Sequence, residues 1–437
     1  MTINLLTPIL DGGIANTHFF NGRLLTAEAL RDEQNAQRRQ HEALGQAAGA
    51  GIISGLTVRR STLTPEGNVV HVSGGLALNG LGQPLAVPES GLEITLLTGP
   101  QTAPTATAAG LFADCATPTT ATPDLPLNAF ILALTPASGF QGKAPMHGLN
   151  DQGAINGCGS RYAVAGIQFR LVGLNVAELE GISPATRSQL NTLLASDNDN
   201  PARLARLRNL LAHLCFGTEE LALFAVDPFA LASGASDFAR YGALDAVGLH
   251  ACDVPLALLH ITNRGIRFID NWAARRQVTP APLSTLWPLP TADRRQAEGA
   301  AIFLQFEEQI TQLVQTNPAT AVTIQATDYF RYLPPAGLLR LNAGTQPGVS
   351  ANTFFTGIPA PASPITLEGA CLLPLLHAAR HYPPIDLLRG EAIWLYRVRE
   401  NDASGAAQPY LLFTSGHMPP MTYSRFDVNR WNYFHFS

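Results

Sequence analysis

The chain has 437 residues, of which 46% are hydrophobic and only 14% are charged. Charged residues make up about 25% of ordinary globular chains, so the low share indicates a surface that is buried or covered by other subunits. The net charge is −5, Lys143 is the only lysine, and no long basic run occurs. Nucleic-acid binding, which needs clustered positive charge, is therefore not expected. The length allows two or three domains.

The N-terminus has no signal peptide, and no apolar run reaches the roughly 20 residues that span a bilayer. We therefore expect a soluble protein made in the cytoplasm, which a large particle could later carry elsewhere. The cysteines are far apart and form no CxxC pair, which favours buried free thiols over a disulfide framework or a zinc ribbon. They are Cys115, Cys158, Cys215, Cys252 and Cys371.

The first 22 residues are irregular and end in two adjacent aromatic residues, Phe19 and Phe20, before a glycine turn. This pattern predicts an anchor that packs on a neighbouring surface. Thr26 is a good N-cap, and residues 26–47 are rich in helix-forming residues. Because apolar positions are sparse in this helix, we expect it to be exposed or packed against a partner.

A β-meander is predicted after the helix, and its strands cover residues 52–60, 68–73, 76–78, 83–87 and 93–97. Residues 99–126 are rich in threonine, alanine and proline, which predicts a linker or exposed loop. A strand is predicted over 128–134, a long glycine-rich loop over 137–159, and a strand over 161–172. Helices follow at 183–194 and 201–216, the second with a leucine stripe and with Arg203, Arg206 and Arg208 off the stripe.

Residues 248–276 are interpreted as the central hairpin. Its first strand, 254–261, is almost wholly apolar, which is typical of a strand buried on both faces. Gly265 suits the tight turn before a second strand over 266–272. Asp253, Asp270, Trp272, Arg275 and Arg276 are interpreted as the structural frame of this hairpin, with Asp270 orienting an arginine across the sheet.

The C-terminal third is predicted to contain helices over 292–315 and 368–379 and strands over 321–327, 391–399 and 410–413. An aromatic-rich tail covers 423–436. The fold class is α+β, a β-rich multidomain chain with inserted helices and long loops. The predicted organisation is an anchor, helix and meander domain (1–98), a linker (99–126), a central mixed domain (127–286) and a C-terminal helix plus aromatic-rich β domain (287–437).

No stretch presents a catalytic constellation, and the GxSxG, Walker, GxGxxG and HExxH patterns are all missing from the sequence. His250, Cys252 and His260 form a metal candidate without a second ligand pair of zinc spacing. Asp253, Asp270 and the Arg275-Arg276 pair are alternative acid/base groups, and Cys158 is an alternative nucleophile. We predict no catalytic residue, no cofactor and no metal site.

Aromatic residues beside arginines are typical of protein–protein interface cores, although the same residues can stack on sugars. We predict that an assembly interface includes Phe19, Phe20, Arg23, Tyr329, Phe330, Tyr332, Trp431, Tyr433 and Phe434.

Several segments together resemble a little-described family that is encoded in gene clusters for phage-tail-like contractile injection systems. They are FFNGRLLTAEALRDEQ (19–34), GIISGLTV (51–58), GLALNGLGQPLAV (75–87), the region 253–276 and FRYLPPAGLL (330–339). The resemblance implies a non-enzymatic structural component at or around the baseplate, present in multiple copies. Its implied partners are baseplate, spike or sheath subunits, with no nucleic acid and no membrane span. A fibre or glycan-binding component and a cell-wall hydrolase are the alternatives.

Overall fold

The computed structural model describes most of the chain. The described residues are 13–63, 68–96, 115, 129–147, 156–174, 176, 182–196, 198–219, 248–278, 292–343, 346–399 and 410–421. They form a mixed α+β fold that is rich in strands, as the sequence predicts. The predicted linker lies outside the described residues except for Cys115, and the predicted domain limits stay predictions.

The chain begins with the helix α1 (Ala27–Ala48), and the Thr26 side chain caps it by accepting a hydrogen bond from the Ala29 amide. Six short strands follow: β1 (Gly51–Gly55), β2 (Val58–Arg60), β3 (Val69–Val72), β4 (Gly75–Leu78), β5 (Pro84–Val87) and β6 (Leu92–Thr95). They form two antiparallel sheets, β1-β4-β5 and β2-β3-β6. The single strand predicted over 52–60 is wrong, because Leu56 adopts a left-handed conformation (φ 58°) and directs β1 and β2 into different sheets.

The central sheet is antiparallel with the order β10-β9-β7-β8. Its strands are β7 (Ala129–His147), β8 (Asn156–Gly173), β9 (Val254–Thr262) and β10 (Gly265–Asp270). The loop predicted over 137–159 is wrong for most of its length, because β7 and β8 stay paired from Phe130 with Gly173 as far as His147 with Asn156.

The central hairpin is confirmed, with β9 buried from Val254 to Ile261. Gly265 takes φ 89° directly after the two-residue loop, as the turn requires. The second strand ends at Asp270 rather than at Trp272, since the Asp270 carboxylate caps a short helix, α4 (Asn271–Ala274).

The described residues between β8 and β9 include two helices: α2 (Pro184–Ala195), capped by Ser183, and α3 (Pro201–Cys215), capped by Asn200. The predicted leucine stripe of α3 is buried at Leu207, Leu210 and Leu211. Arg208 is only 4% exposed, so the prediction that it lies off the buried face is wrong.

The long helix α5 (Ala292–Thr316) opens the C-terminal third, close to its predicted bounds. The strand predicted over 321–327 is wrong: a 3₁₀ turn (Ala321–Thr323) and a short helix, α6 (Ala326–Tyr329), occupy it. The further α-helices and strands of the described residues are β11 (Tyr332–Leu333), β12 (Ala336–Arg340), α7 (Ala351–Phe354), β13 (Ile365–Leu367), α8 (Leu372–Ala379), β14 (Ile385–Asp386), β15 (Ile393–Val398) and β16 (Tyr410–Ser415). They form the sheets β12-β16-β15-β13 and β11-β14.

Three large hydrophobic clusters hold these elements together. One joins the meander to the central sheet, with Val70 and Leu85 packing in the same cluster as Leu132 and Leu256. A second packs α3 and the N-terminal half of α5 on the other face of the sheet. A third surrounds Phe306 of α5 in the C-terminal third. The central sheet is therefore covered on both faces, which accounts for the continuous apolar run of β9.

The free-thiol prediction is wrong for two of the five cysteines. Cys115 and Cys252 form a disulfide across 137 positions of sequence. Cys158 is exposed, Cys215 is buried and Cys371 is partly buried, and these three are free. The disulfide ties one residue of the predicted linker to the entrance of the central hairpin.

Candidate assembly interface

An N-terminal arm, residues 13–26, presents apolar side chains to solvent. The exposed fractions are 49% for Phe19, 60% for Phe20, 81% for Leu24 and 61% for Leu25. The prediction that the two phenylalanines are available to another surface is therefore consistent with where the fold places them. Arg23 is also exposed, and its guanidinium lies 6.0 Å from the centre of the Phe20 ring.

A few polar contacts hold the N-terminal arm against α1. The Thr17 amide donates to Glu33 Oε2 at 3.2 Å, and its hydroxyl donates to the Ala29 carbonyl at 2.9 Å. Arg23 donates to the His18 carbonyl, and the His18 and Phe20 rings stack 5.9 Å apart. These contacts give the arm a defined shape while its apolar side chains stay exposed.

Helix α1 is attached to the meander through its C-terminal half. Gln46 donates to the Leu81 carbonyl at 3.2 Å, and Gln83 donates to Glu42 Oε1 at 3.0 Å. Gly45 and Gly82 let the two backbones touch, since a Cβ on Gly45 would lie 2.1 Å from the Gly82 carbonyl oxygen. The N-terminal half of the helix is largely exposed. The N-terminal arm therefore lies at the end of α1 that is opposite to the contacts with the meander.

A second projection, which we call the β-arm, is formed by residues 136–147 and 156–167. Strand β9 pairs with β7 only as far as Leu134, whereas β7 and β8 remain paired beyond that point. Two aromatic rings of the β-arm are exposed, Phe140 by 58% and Tyr162 by 53%. Sequence reasoning missed this element because glycine, serine and proline are frequent in it.

The aromatic segment 329–332 does not lie on the surface. Phe330 is completely buried and Tyr332 is 5% exposed, while Tyr329 is partly buried. Phe330 packs with Phe306, 5.3 Å away between ring centres, and belongs to the C-terminal core. We therefore remove Phe330 and Tyr332 from the predicted interface. Trp431, Tyr433 and Phe434 lie outside the described residues.

Asp270 is the centre of a buried polar network. Its Oδ1 accepts from the amides of Trp272 (3.0 Å) and Ala273 (2.9 Å). Its Oδ2 accepts from Arg208 Nε of α3 at 2.6 Å and from Gln305 of α5 at 3.0 Å. Asp270 binds an arginine, as predicted, but Arg208 belongs to a helix packed on the sheet rather than to a neighbouring strand.

Arg276 makes a second buried ion pair between elements. Its Nε donates to Glu298 Oε1 of α5 at 2.9 Å, and Nη2 lies 2.7 Å from Glu298 Oε2. Nη1 donates to the carbonyls of Trp272, Ala273 and Arg275 at 2.8–3.1 Å. Arg276 therefore fixes the end of the central hairpin to the long helix.

The other hairpin residues also connect elements. Asp253 Oδ2 accepts from Arg170 of β8 at 2.5 Å and from the His250 amide at 2.9 Å. Arg275 donates to the Gly55 carbonyl of β1, and its guanidinium lies 5.5 Å from the Trp272 ring. These contacts agree with the structural interpretation of the hairpin charges.

Burial shifts the pKa of several titratable groups outside the hairpin, and the shift is large for Glu307, His213 and Cys215. It raises the pKa of Glu307 to about 7, although a hydrogen bond from the Leu338 amide opposes the rise. Burial lowers the pKa of His213 to about 3 and raises that of Cys215 to about 12. Burial therefore favours the neutral forms of His213 and Cys215, which both lie buried on α3.

Within the described part of the chain, no group of three or more histidine, cysteine or acidic residues could hold a metal ion. Cys252, a member of the candidate metal set, is bonded to Cys115. Among the helices of the described residues, none has an apolar stretch that could cross a membrane.

No protein-family model matches the chain, and no curated protein matches it. Among solved structures, TssK is 8% identical over 49% of this chain and 52% of its own, with a TM-score of 0.21. The chain thus spans about half the length of that structure. A chain of the baseplate complex from the type VI secretion system is 9% identical over 49% of this chain and 81% of its own, with a TM-score of 0.20. Scores this low identify neither the fold nor the function.

Proposed function

We propose that the chain is a non-enzymatic structural subunit of a phage-tail-like contractile injection particle, at or around the baseplate. The observation that carries the proposal is the N-terminal arm, whose exposed apolar side chains directly precede α1, a helix that is attached to the meander through its C-terminal half. The arm and the first turns of α1 coincide with residues 19–34, one of the segments that resemble the contractile-system family.

The exposed side chains have enough apolar area to contribute substantially to an interface. Fully burying one phenylalanine or leucine side chain stabilises a complex by about 1.5–3 kcal/mol. Phe19, Phe20, Leu24 and Leu25 are each at least 49% exposed, so a partner that covers them gains several kcal/mol before ordering costs. Clustered aromatic anchors of this kind are typical of interface hot spots.

The β-arm supports the same function by a different argument. A two-stranded hairpin is marginally stable by itself in water, and this one extends beyond the rest of its sheet. A neighbouring subunit that packs on Phe140 or Tyr162 would stabilise it. The buried charges of the hairpin, in contrast, join elements to one another, which suits a rigid body that positions the two projections.

The proposal is tested by purifying contractile particles from cells that express a tagged copy of the chain. We expect the tagged chain to sediment with sheath and tube at a fixed stoichiometry. Replacing Phe19 and Phe20 together by alanine should remove most of the chain from the particles without changing its thermal unfolding. A matched control is Leu63→Ala, because Leu63 is 77% exposed and is not part of the arm.

Two results would overturn the proposal. One is a wild-type chain that is found only in the soluble fraction of cells that assemble complete particles. The other is a Phe19→Ala/Phe20→Ala variant that enters particles as well as the Leu63→Ala control does, which would refute the role of the N-terminal arm.

A further inference from the structure

The disulfide between Cys115 and Cys252 lies close to the place where α1 is attached to the meander. Both cysteines are buried, and Cys252 stands at the entrance of the central hairpin. The backbone connects the two residues only through the 137 positions that separate them. The disulfide is therefore the bond that keeps Cys115 at this place in the fold.

Both cysteines contact the turn between β4 and β5. Asn79 Nδ2 donates to the Cys252 carbonyl at 3.3 Å and to Gln83 Oε1 at 2.9 Å. Cys115 Sγ lies 3.4 Å from the same oxygen of Gln83. Asn79 and Gln83 are both buried, so the disulfide is part of the surroundings that keep water away from their side chains.

The same turn holds α1. The amide oxygen of Gln83 contacts Cys115, and its amide nitrogen donates to Glu42 Oε1 of the helix at 3.0 Å. Gln83 therefore connects the disulfide to α1. A hydrogen bond is stronger where water is excluded, so a disulfide that covers Gln83 also strengthens the attachment of the helix.

The contact between Cys115 and Gln83 differs between the two redox states. A disulfide sulfur has no hydrogen to donate, so the 3.4 Å contact is a packing contact while the bond is closed. A Cys115 thiol can donate a hydrogen bond to Gln83 Oε1, but a thiol is a weak donor. That weak bond replaces a covalent one, so water reaches Gln83 more often and competes for its bond to Glu42.

We propose that the Cys115–Cys252 disulfide is a redox-sensitive latch on α1. In the closed state it holds the C-terminal half of α1 on the meander, and with it the N-terminal arm; in the open state this half detaches more often. Disulfides persist in oxidising surroundings and are rare in the reducing cytosol, so the attachment of the arm depends on the compartment. The inference concerns the attachment of α1 and does not depend on the particle assignment.

A dithiol opens the latch by thiol–disulfide exchange. One thiolate of the dithiol attacks a sulfur of the disulfide, and the second thiolate then releases the mixed intermediate. The bond between Cys115 and Cys252 is broken, each cysteine gains a hydrogen, and the dithiol becomes a cyclic disulfide, so it supplies the two electrons and two protons. Because both cysteines are buried, the exchange requires local opening of the fold.

The test is hydrogen–deuterium exchange of the full chain before and after treatment with dithiothreitol, with the free thiols counted in denaturant. Three free thiols are expected before reduction and five after it. Reduction should speed amide exchange in residues 42–48 roughly fivefold, the factor expected when one hydrogen bond worth about 1 kcal/mol is lost. Exchange in β16, which packs in a different hydrophobic cluster, should not change.

Two variants separate the latch from other effects of reduction. Cys115→Ala should exchange in residues 42–48 like the reduced wild type and should not respond to dithiothreitol. The matched control is Cys158→Ser, which removes an exposed free thiol and should keep the full response. Reduction of the wild type needs no substitution, so it decides the question even where Cys115→Ala does not fold.

Four results would overturn the proposal. Five free thiols before reduction would show that the disulfide does not form. Exchange in residues 42–48 that reduction leaves unchanged would show that the bond does not hold α1. A response that is lost in Cys158→Ser would assign the effect to another cysteine. An equal rise of exchange in β16 would show that the disulfide stabilises the whole fold rather than the attachment of α1.

Discussion

Arg276→Ala is the sharpest test of the buried frame, because the residue is 2% exposed and every polar atom of its guanidinium has a partner. The substitution removes the guanidinium that pairs with the buried Glu298 carboxylate. Removing one partner of a buried ion pair costs about 3–5 kcal/mol. We therefore expect the free energy of unfolding to fall by roughly that amount.

Urea unfolding followed by far-ultraviolet circular dichroism measures the loss, provided that the dependence on urea concentration is unchanged. The double variant Arg276→Met/Glu298→Leu removes both charges and fills the volume, so it should be more stable than Arg276→Ala. Arg264→Ala is the surface control, because the Arg264 side chain is 53% exposed beside Asp199. That substitution should cost less than about 1 kcal/mol.

The reasoning about Arg276 is refuted by either of two results. An Arg276→Ala variant within about 1 kcal/mol of the wild type would show that the pair contributes no more than a surface pair. A Met/Leu double variant as unstable as Arg276→Ala would show that the loss comes from packing rather than from removing the guanidinium beside the Glu298 carboxylate.

Three further substitutions test other parts of the fold. Phe330→Ala should lower the free energy of unfolding by about 3–5 kcal/mol, because it opens a cavity in the C-terminal core; a loss below about 1 kcal/mol would contradict the burial of the ring. Gly45→Ala should loosen α1 from the turn at Gly82, which faster proteolysis of α1 would reveal and unchanged proteolysis would refute. Burial raises the folded-state pKa of Glu307 to about 7, above the ordinary glutamate pKa of about 4.5. Glu307 therefore binds more protons in the folded than in the unfolded state, and its stabilising contribution is lost as the pH rises from about 4.5 to 7. The unfolding free energy of the wild type minus that of Glu307→Gln should therefore decrease across that range. A difference that does not change with pH would exclude a raised pKa of Glu307.

Local patterns predicted much of the secondary structure. Thr26 precedes a helix and caps it as predicted, since the capping bond needs only residues within a turn. Ser183 and Asn200 cap the next two helices in the same way. The same holds for Gly265, whose positive φ is a property of a single residue. These signals are local in sequence, so they could be read without knowing the fold.

The failures involve contacts between distant residues. Arg208 is an ordinary helix position in the sequence, and its burial depends on Asp270, 62 positions away. Cys115 and Cys252 are separated by 137 positions, and no local pattern pairs them. Composition can suggest that Phe330 belongs to an aromatic cluster, but only the packing of α5 against the C-terminal sheet shows that the cluster is internal.

The β-arm illustrates why the candidate interface could be predicted only in part. Its glycine and proline content is typical of a loop, yet cross-strand hydrogen bonds do not require particular side chains, so the two segments pair regardless. Because such a ribbon gains little stability from its own side chains, a surface that covers its exposed rings at Phe140 and Tyr162 would stabilise it. We propose the same for Phe19 and Phe20 of the N-terminal arm. A body held rigid by buried ion pairs can present both projections at a fixed spacing, so a substitution at Arg276 should disturb folding, while one at Phe20 should disturb assembly alone.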